Sequence, residues 1–162
     1  MPGRFLPRPI GILIGTMSFA LGGCGVGSSV SHSILEKRKV SNPVFHFEIP
    51  VADMDRAVSF YEAVFEFKLH RENIDGYDMA FFPRIDGAPG ASGALAKGDV
   101  YVPSKSGPVI YFDVADIDSV LERARFRGAT ILYPKKHVGE AGYVAEFEDS
   151  EGNRIALSAT SD

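Results

Sequence analysis

An internal repeat constrains this chain more than any other feature of its sequence. Residues 51–55 read Val-Ala-Asp-Met-Asp, and residues 114–118, which lie 63 positions further on, read Val-Ala-Asp-Ile-Asp. A run rich in β-branched and aromatic residues precedes each copy and predicts a strand. After each copy the apolar residues recur with a helical period, and Asp53 and Asp116 stand where a carboxylate caps a first helical turn. The chain is therefore predicted to contain two related modules.

Three further strands are predicted in each module. They follow the helix and are separated by turn signals such as Asp75-Gly76 and Gly152-Asn153. Each module therefore reads β-α-β-β-β, and two modules together can bury sheet faces that one alone cannot. The predicted fold class is α+β, with two tandem βαβββ modules. The eight strands are expected at residues 44–49, 68–72, 77–83 and 93–97 in the first module and at 109–112, 130–133, 143–148 and 154–158 in the second.

Composition narrows the classes of function. The chain has 17 Lys and Arg residues against 21 Asp and Glu residues, a formal net charge of −4. A mildly acidic chain offers no electrostatic footprint for nucleic acid. The single cysteine excludes an intramolecular disulfide and a cysteine-based zinc cluster. These counts favour one globular domain, or two small modules that share a core, without a nucleic-acid partner.

Residues 1–23 are predicted to form a signal peptide of the lipoprotein type. Arg4 and Arg8 precede an apolar run over residues 10–20, which is too short to span a membrane. The tetrad Leu-Gly-Gly-Cys that ends at Cys24 resembles the lipobox of bacterial lipoproteins. The resemblance implies cleavage before Cys24 and acylation of its sulfur, which would anchor the protein to a membrane.

The predicted location follows from that N-terminus. Residues 24–42 are expected to form a flexible tether between the lipid and the domain. Gly25, rather than an aspartate, follows the lipidated cysteine and favours the outer membrane of a bacterial cell envelope over the inner membrane. If the N-terminus instead results from a mistaken start codon, the protein is expected in the cytoplasm.

The repeat carries three motifs of a known superfamily. They read Phe-His-Phe-Glu-Ile-Pro-Val-Ala-Asp at 45–53, Phe-Tyr at 60–61 and Asp-Ser-Glu-Gly-Asn-Arg-Ile-Ala-Leu at 149–157. Together they resemble the vicinal oxygen chelate superfamily, which includes glyoxalase I, extradiol dioxygenases and bleomycin-resistance proteins. The resemblance implies two modules whose curled sheets surround a cavity, with the helices outside. It covers residues 43–160, with module one at 43–103 and module two at 107–160.

The metal enzymes of this superfamily carry His or Glu ligands on their cavity strands, and this chain keeps few of them. His46 stands at the position of the first-strand ligand, but the corresponding residue of module two is Val109. The position of the closing glutamate is Ala156, and the 63-residue offset gives Gly93 as its counterpart. Because one imidazole does not hold a catalytic metal, the resemblance implies no divalent metal and no other cofactor.

Strand alternation selects the candidate pocket residues. If His46 faces the cavity, Glu48 faces it too, and so does Tyr111 in module two. His46 and Glu48 are also the candidates for catalysis as an acid–base pair, whereas Glu146 is compatible with either face of its strand. The ligand-binding candidates are His46, Glu48, Tyr111, Glu146, Arg154 and Ala156, and further wall candidates of undetermined register are Met79, Phe81, Tyr101 and Tyr143.

Three functions are compatible with these residues. The first is a metal-free protein that binds a small organic molecule in a cavity between its modules. The second is a lyase or isomerase of the glyoxalase type, with a nonstandard site that uses His46 and Glu48. The third is a structural or interaction protein whose cavity is vestigial. A homodimer is compatible with all three, and the sequence leaves open whether the modules pair within one chain or between two chains.

Overall fold

The computed structural model describes residues 43–161, which form two modules with the same order of elements. This arrangement confirms the predicted α+β class with two tandem βαβββ modules. A 3₁₀ turn at Gly139–Ala141 separates the second and third strands of module two. Module one comprises β1 (His46–Pro50), α1 (Met54–Phe65), β2 (His70–Ile74), β3 (Tyr77–Phe81) and β4 (Ser92–Lys97). Module two comprises β5 (Ile110–Asp113), α2 (Ile117–Phe126), β6 (Thr130–His137), β7 (Tyr143–Glu148) and β8 (Arg154–Ala159).

Each module forms its own four-stranded sheet. The strand orders are β1-β4-β3-β2 and β5-β8-β7-β6, so the first and last strands of each module lie side by side. β1 runs parallel to β4, and β5 runs parallel to β8, whereas the remaining pairs are antiparallel. The parallel pairs are possible because the chain between them is long enough for the crossover connection that parallel neighbours need.

The predicted capping aspartates begin both helices. Asp53 Oδ1 accepts a hydrogen bond of 3.0 Å from the backbone N–H of Arg56, and Asp116 Oδ1 accepts one of 3.2 Å from that of Ser119. The Arg56 N–H lowers the pKa of Asp53, and the Ser119 hydroxyl followed by its N–H lowers the pKa of Asp116. α2 ends ahead of Gly128, whose φ of 87° terminates the helix in a left-handed conformation.

β6 is longer than predicted. It continues to His137 instead of ending at Tyr133. Its pairing with β7 shifts register between Ile131 and Tyr133 and again between Tyr133 and Lys136, and Pro134 lies in the second of these stretches. Proline lacks a backbone N–H and is tolerated in this strand because β6 is an edge strand of its sheet.

One core joins the two modules. α1 and α2 contact each other, and aromatic rings from both modules meet beneath them. The ring centroid of Phe112 in module two lies 4.6 Å from that of Phe65 and 6.1 Å from that of Phe47, both in module one. Burial of a side chain of this size contributes about 1.5–3 kcal/mol. The shared core therefore covers the helix-facing side of both sheets and leaves their opposite sides open.

The turn between β7 and β8 of module two forms hydrogen bonds with residues of module one. Asp149 is only 5% exposed, and its Oδ2 accepts a hydrogen bond of 2.7 Å from the hydroxyl of Tyr61 on α1. Asn153 Nδ2 donates to the backbone carbonyl of Pro50 at 2.8 Å. Burial, followed by the neighbouring Asp149 carboxylate, raises the pKa of Tyr61 well above its ordinary value, so the phenol acts only as a neutral donor.

Glu151 adds charged contacts to the same turn. Its side chain is inaccessible to solvent, and it accepts hydrogen bonds of 2.8 Å from Nε and Nη2 of Arg56. Its Oε2 also accepts a 3.0 Å hydrogen bond from the backbone N–H of Asp53. Burial opposes ionisation, but the Arg56 guanidinium and the Asp53 N–H outweigh it and hold the pKa of Glu151 below its ordinary value. The first residues of the motif at 149–157 therefore form contacts between the two modules.

Candidate functional site

A pocket of about 270 Å³ opens on the face of the module-one sheet that points away from the helices. The alternation predicted for β1 is observed, because Phe47 and Ile49 pack with the core while His46 and Glu48 lie on the opposite face. All of the lining residues belong to module one. They combine the polar pair His46 and Glu48 with an aromatic wall of Tyr77, Phe81 and Tyr101. Met79 lies beneath this wall, and Ile74 and Asp75 complete the rim.

Glu48 is the centre of the polar group in this pocket. The hydroxyl of Tyr101 donates a hydrogen bond of 2.6 Å to Glu48 Oε2, and His46 Nε2 lies 3.5 Å from Glu48 Oε1. The side chains of His46 and Glu48 are 33% and 36% exposed, so a ligand can reach both. The bond to Glu48, followed by partial burial, raises the pKa of Tyr101 to about 12. Tyr101 therefore remains a neutral donor at neutral pH.

The wall of the pocket is aromatic. The rings of Tyr77 and Tyr101 meet edge to face, with centroids 5.6 Å apart and an interplanar angle of 90°. Met79 forms the floor and packs with Ala94 and Ala96 of β4 in a small cluster separate from the main core. The small side chains of the two alanines leave the volume above the sheet open to a ligand.

Tyr101 is the site residue that the sequence described least well. It follows β4 in a segment without strand or helix periodicity, so its register could not be assigned beforehand. No local sequence signal places Tyr101, although the structure explains the nearby Gly98, where a Cβ would lie 2.3 Å from the Tyr77 ring and 3.5 Å from that of Tyr101. Glycine at this position thus allows the Tyr77 ring to pack there. Tyr143, another wall candidate, packs instead against the main core.

The remaining predicted site residues lie on the open face of the module-two sheet. Ala156 pairs with Tyr111 on one side and with Glu146 on the other. The Arg154 guanidinium binds the Glu146 carboxylate through Nε–Oε2 and Nη2–Oε1 contacts of 2.8 Å, which assigns Glu146 to this face. None of these four residues lines the pocket that contains His46. The structure therefore divides the predicted site residues into two groups, one on each sheet.

A larger depression, of about 610 Å³, lies beside the turn between β7 and β8. Two of its carboxylates are already engaged, because Glu151 binds Arg56 and Glu148 accepts a 3.0 Å hydrogen bond from Lys105 Nζ. These contacts hold the turn and occupy both carboxylates. We therefore place the candidate site in the smaller pocket, where Glu48 stays accessible.

The position of Gly93 differs from the expectation. The 63-residue offset holds from β1 to β5 but becomes 62 (156 − 94) from β4 to β8, because Ala94 and Ala156 hold equivalent places opposite β1 and β5. A Cβ on Gly93 would lie 2.2 Å from the carbonyl oxygen of Phe47 and 2.6 Å from its ring. The expectation that Gly93 is the counterpart of Ala156 was wrong, since Ala94 holds that place and Gly93 instead allows close packing on the core side. The loops between the strands differ in length, and this difference shifts the offset.

Two βαβββ modules with a shared core, each forming a four-stranded mixed sheet, define the fold class of this chain. A profile of the Glyoxalase/Bleomycin resistance protein/Dioxygenase superfamily matches residues 44–157. The chain belongs to this superfamily, and the resemblance to vicinal oxygen chelate proteins is confirmed. No curated protein matches the chain.

Solved structures share the fold at low sequence identity. A glyoxalase/bleomycin resistance protein/dioxygenase domain from Frankia sp. EAN1pec is 20% identical, with a TM-score of 0.58 over 72% of this chain and 96% of that one. The trypanothione-dependent glyoxalase I of Leishmania major is 21% identical, with a TM-score of 0.58 over 74% and 88%. A glyoxalase/bleomycin resistance protein from Streptomyces sp. CB03234 is 25% identical, with a TM-score of 0.55 over 70% and 96%.

The residues at the superfamily's metal positions do not fit a metal ion. His46 supplies an imidazole, but Val109, Ala94 and Ala156 have no side-chain donor atom. Within residues 43–161, no group of three or more His, Cys, Asp and Glu side chains is placed to hold a metal. Because divalent metals need several converging ligands, we derive no chemistry through a metal at this site.

The predicted lipidation site lies outside the described residues. Cys24, the signal peptide at 1–23 and the tether at 24–42 all precede residue 43, so the lipid anchor and the envelope location stay predictions. In the part of the chain that the structure describes, neither helix has the length and apolar character needed to cross a bilayer. The homodimer also stays a prediction.

Proposed function

We propose that this protein binds a small organic molecule, without a metal, in the pocket on the open face of the module-one sheet. The observation that carries the proposal is the placement of Glu48, with its partners His46 and Tyr101, at the edge of an aromatic wall. Sites for small molecules typically combine apolar walls with a few oriented polar groups. Structural neighbours named as bleomycin-resistance and glyoxalase proteins add support at the level of the fold.

The volume of the pocket limits the ligand. About 270 Å³ is slightly below the range of about 300–1,000 Å³ that holds drug-sized molecules. The pocket therefore fits one ring with a short substituent, and the rest of a larger ligand would lie over the rim. A ligand part of about ten non-hydrogen atoms, at about 0.4–0.8 kcal/mol per atom, is expected to bind with a Kd in the millimolar to micromolar range.

The metal independence in this proposal is supported by the donor set. His46 has no second ligand at the superfamily's other positions, and its ring instead lies beside Glu48. Ligand affinity is therefore expected to be the same with and without a chelator such as EDTA. An affinity that falls on chelation and returns with one divalent metal would contradict this part of the proposal.

A ligand panel tests the proposal. NMR titration of the full chain with one-ring compounds should show saturable binding, and Tyr101→Ala should weaken it about tenfold by removing one wall of the pocket. Tyr111→Ala is the matched control, because Tyr111 is an exposed tyrosine on the open face of the other sheet. It should leave the affinity within about twofold. The absence of saturable binding, or an equal loss in both variants, would contradict the proposal.

A second candidate function is supported by the distance between His46 Nε2 and Glu48 Oε1, which is 3.5 Å. An imidazole and a carboxylate this close can move a proton between neighbouring atoms of one substrate, as a lyase or isomerase of the glyoxalase type requires. Turnover of a hemithioacetal that His46→Ala and Glu48→Gln each reduce by about 100-fold or more, with retained affinity, would favour the enzyme. Binding without turnover would favour the first proposal.

We also propose that a lipid on Cys24 holds this pocket at a bacterial envelope membrane. The support is the tetrad Leu-Gly-Gly-Cys behind a basic and apolar N-terminus. Cys24→Ser should move the protein from the membrane fraction to the soluble fraction of the expressing bacterium. Retention of the variant in the membrane fraction would contradict the anchor.

A further inference from the structure

We infer that the module-one pocket selects organic cations of one-ring size, amines or quaternary ammonium groups joined to an apolar part, over neutral and anionic molecules of the same shape. The inference rests on the proposed function, because it names the ligand class for the same pocket. Three features of the pocket support it: the sign of its charge, the contacts of Glu48 and the arrangement of its rings.

The lining of the pocket carries negative charge. Among the described residues that line it, Glu48 and Asp75 are acidic and none is Lys or Arg. His46 contributes a positive charge only when it is protonated. The open face of the other sheet differs, because the one guanidinium among its predicted site residues, that of Arg154, is held by Glu146. An anion in the module-one pocket would meet carboxylates without a lysine or arginine partner.

The neighbours of Glu48 orient its carboxylate, and neither of them is a lysine or an arginine. The donor to Oε2 is the phenol of Tyr101, which is uncharged, so the 2.6 Å hydrogen bond fixes the carboxylate and leaves its charge in place. Oε1 has the His46 ring at 3.5 Å and is within reach of a ligand, since about a third of the Glu48 side chain is exposed. A carboxylate beside an apolar wall attracts a cation more strongly than one in bulk water does.

The rings of the wall suit a rounded cation. A cation is attracted to the face of an aromatic ring when it lies within about 6 Å of the centroid. Tyr77 and Tyr101 stand at 90° with centroids 5.6 Å apart, and this perpendicular arrangement forms a corner. Glu48 is bonded to one side of that corner and Met79 lies in the floor. An ammonium group in the corner would contact rings and carboxylate together.

Three probes of matched shape test the inference on the full chain. They are (4-hydroxyphenyl)trimethylammonium, its uncharged isostere 4-tert-butylphenol, and 4-hydroxybenzenesulfonate, each titrated by NMR at low ionic strength. The ammonium probe is expected to bind about tenfold or more tightly than the uncharged probe, and the sulfonate most weakly. Glu48→Gln should bring the first two affinities within about twofold of each other.

Two controls separate a change in selectivity from a damaged pocket. The affinity of the uncharged probe in Glu48→Gln should change by less than about twofold, which shows that the wall is intact. Glu140→Gln, which removes a negative charge from an exposed turn of module two outside the pocket, should change the ammonium preference by less than about twofold because solvent screens that charge.

Other outcomes overturn the inference in distinguishable ways. Equal affinities for the ammonium and uncharged probes, or a preference that survives Glu48→Gln, would overturn the cation selectivity and leave the proposed pocket standing. Tightest binding of the sulfonate would also overturn it. If none of the three probes binds saturably, both this inference and the proposed function in this pocket are contradicted.

Discussion

The two modules share one topology but use their open sheet faces differently. In module two, Arg154 and Glu146 form a bidentate ion pair across β8 and β7, so opposite charges are satisfied within the face. In module one, Glu48 has a neutral phenol and an imidazole beside it. The two open faces have the same strand order but differ in how their charges are paired. Under the proposed function, this difference assigns the binding site to module one.

The modules also differ at the turn before the last strand. Asp149 of module two is buried and accepts the hydroxyl of Tyr61. The loop before β4 in module one is longer, and its Asp86 is fully exposed, with Oδ1 3.9 Å from Arg84 Nε. The helix residue equivalent to Tyr61 is Ala124, which has no hydroxyl. The buried contact that Asp149 makes with the other module is therefore absent at Asp86.

The largest expected effect is on the free energy of unfolding, and it tests the difference between Asp149 in module two and Asp86 in module one. Asp149→Ala leaves the Tyr61 hydroxyl and the amide of Asn153 without their buried acceptor, and it should lower the free energy of unfolding by about 2–4 kcal/mol. Asp86→Ala is the matched control in module one and should change that free energy by about 0.5 kcal/mol or less. Urea denaturation of both variants measures the difference. Similar losses in the two would contradict the comparison.

The next largest effect concerns the corrected register of β4. Gly93→Ala places a methyl group against the Phe47 carbonyl and ring, and overpacking of this kind should cost about 1–3 kcal/mol of folding free energy. The opposite substitution at the neighbouring residue, Ala94→Gly, removes a methyl group from the small cluster around Met79 and should cost about 0.5–1 kcal/mol. If denaturation shows Gly93→Ala to be as stable as the native protein, the placement of Gly93 is incorrect.

A pH-dependent effect follows from Glu151. Its pKa in the folded protein lies below the ordinary value of 4.5, so the stabilisation is complete above that value and is lost as the pH falls through the lower folded pKa. Glu151→Gln should therefore cost about 1–2 kcal/mol at pH 7, and the deficit should shrink near pH 3. Glu72→Gln, at an exposed position of β2, is the control for charge removal. A deficit that is equal at both pH values would argue against the charged contacts.

The smallest effect concerns the open face of module two. Arg154→Ala breaks a half-exposed ion pair and should reduce the free energy of unfolding by about 0.2–1 kcal/mol. It should leave the affinity of the module-one pocket for a one-ring probe within about twofold. Calorimetry and titration of the same preparation measure both quantities. A tenfold loss of affinity would show that the module-two face takes part in the site.

Local signals in the sequence predicted most of the fold. The strands, the helices and the caps at Asp53 and Asp116 follow from side-chain periodicity and hydrogen-bonding chemistry within a few residues. The shared face of His46 and Glu48 follows from alternation along one strand, for the same reason. These predictions needed no knowledge of distant contacts, and the structure bears them out.

The rest of the site depended on distant contacts that the sequence does not encode locally. Alternation assigns Tyr111 to one face of the module-two sheet. It does not show whether this face lines the same pocket as Glu48 in module one. Tyr101 has no periodic pattern, so its bond to Glu48 appears only once the chain is folded. The sequence assigned Gly93 instead of Ala94 as the counterpart of Ala156, because a constant offset between the modules does not hold when their loops differ in length.

The most direct test of the central claim is a map of backbone and side-chain NMR shifts of the full chain titrated with (4-hydroxyphenyl)trimethylammonium. We expect saturable changes centred on Glu48, Tyr77, Met79 and Tyr101, with the surroundings of Tyr111 and Arg154 unchanged. Changes centred on the module-two face, or no saturable change in module one, would contradict the claim that module one carries the binding site.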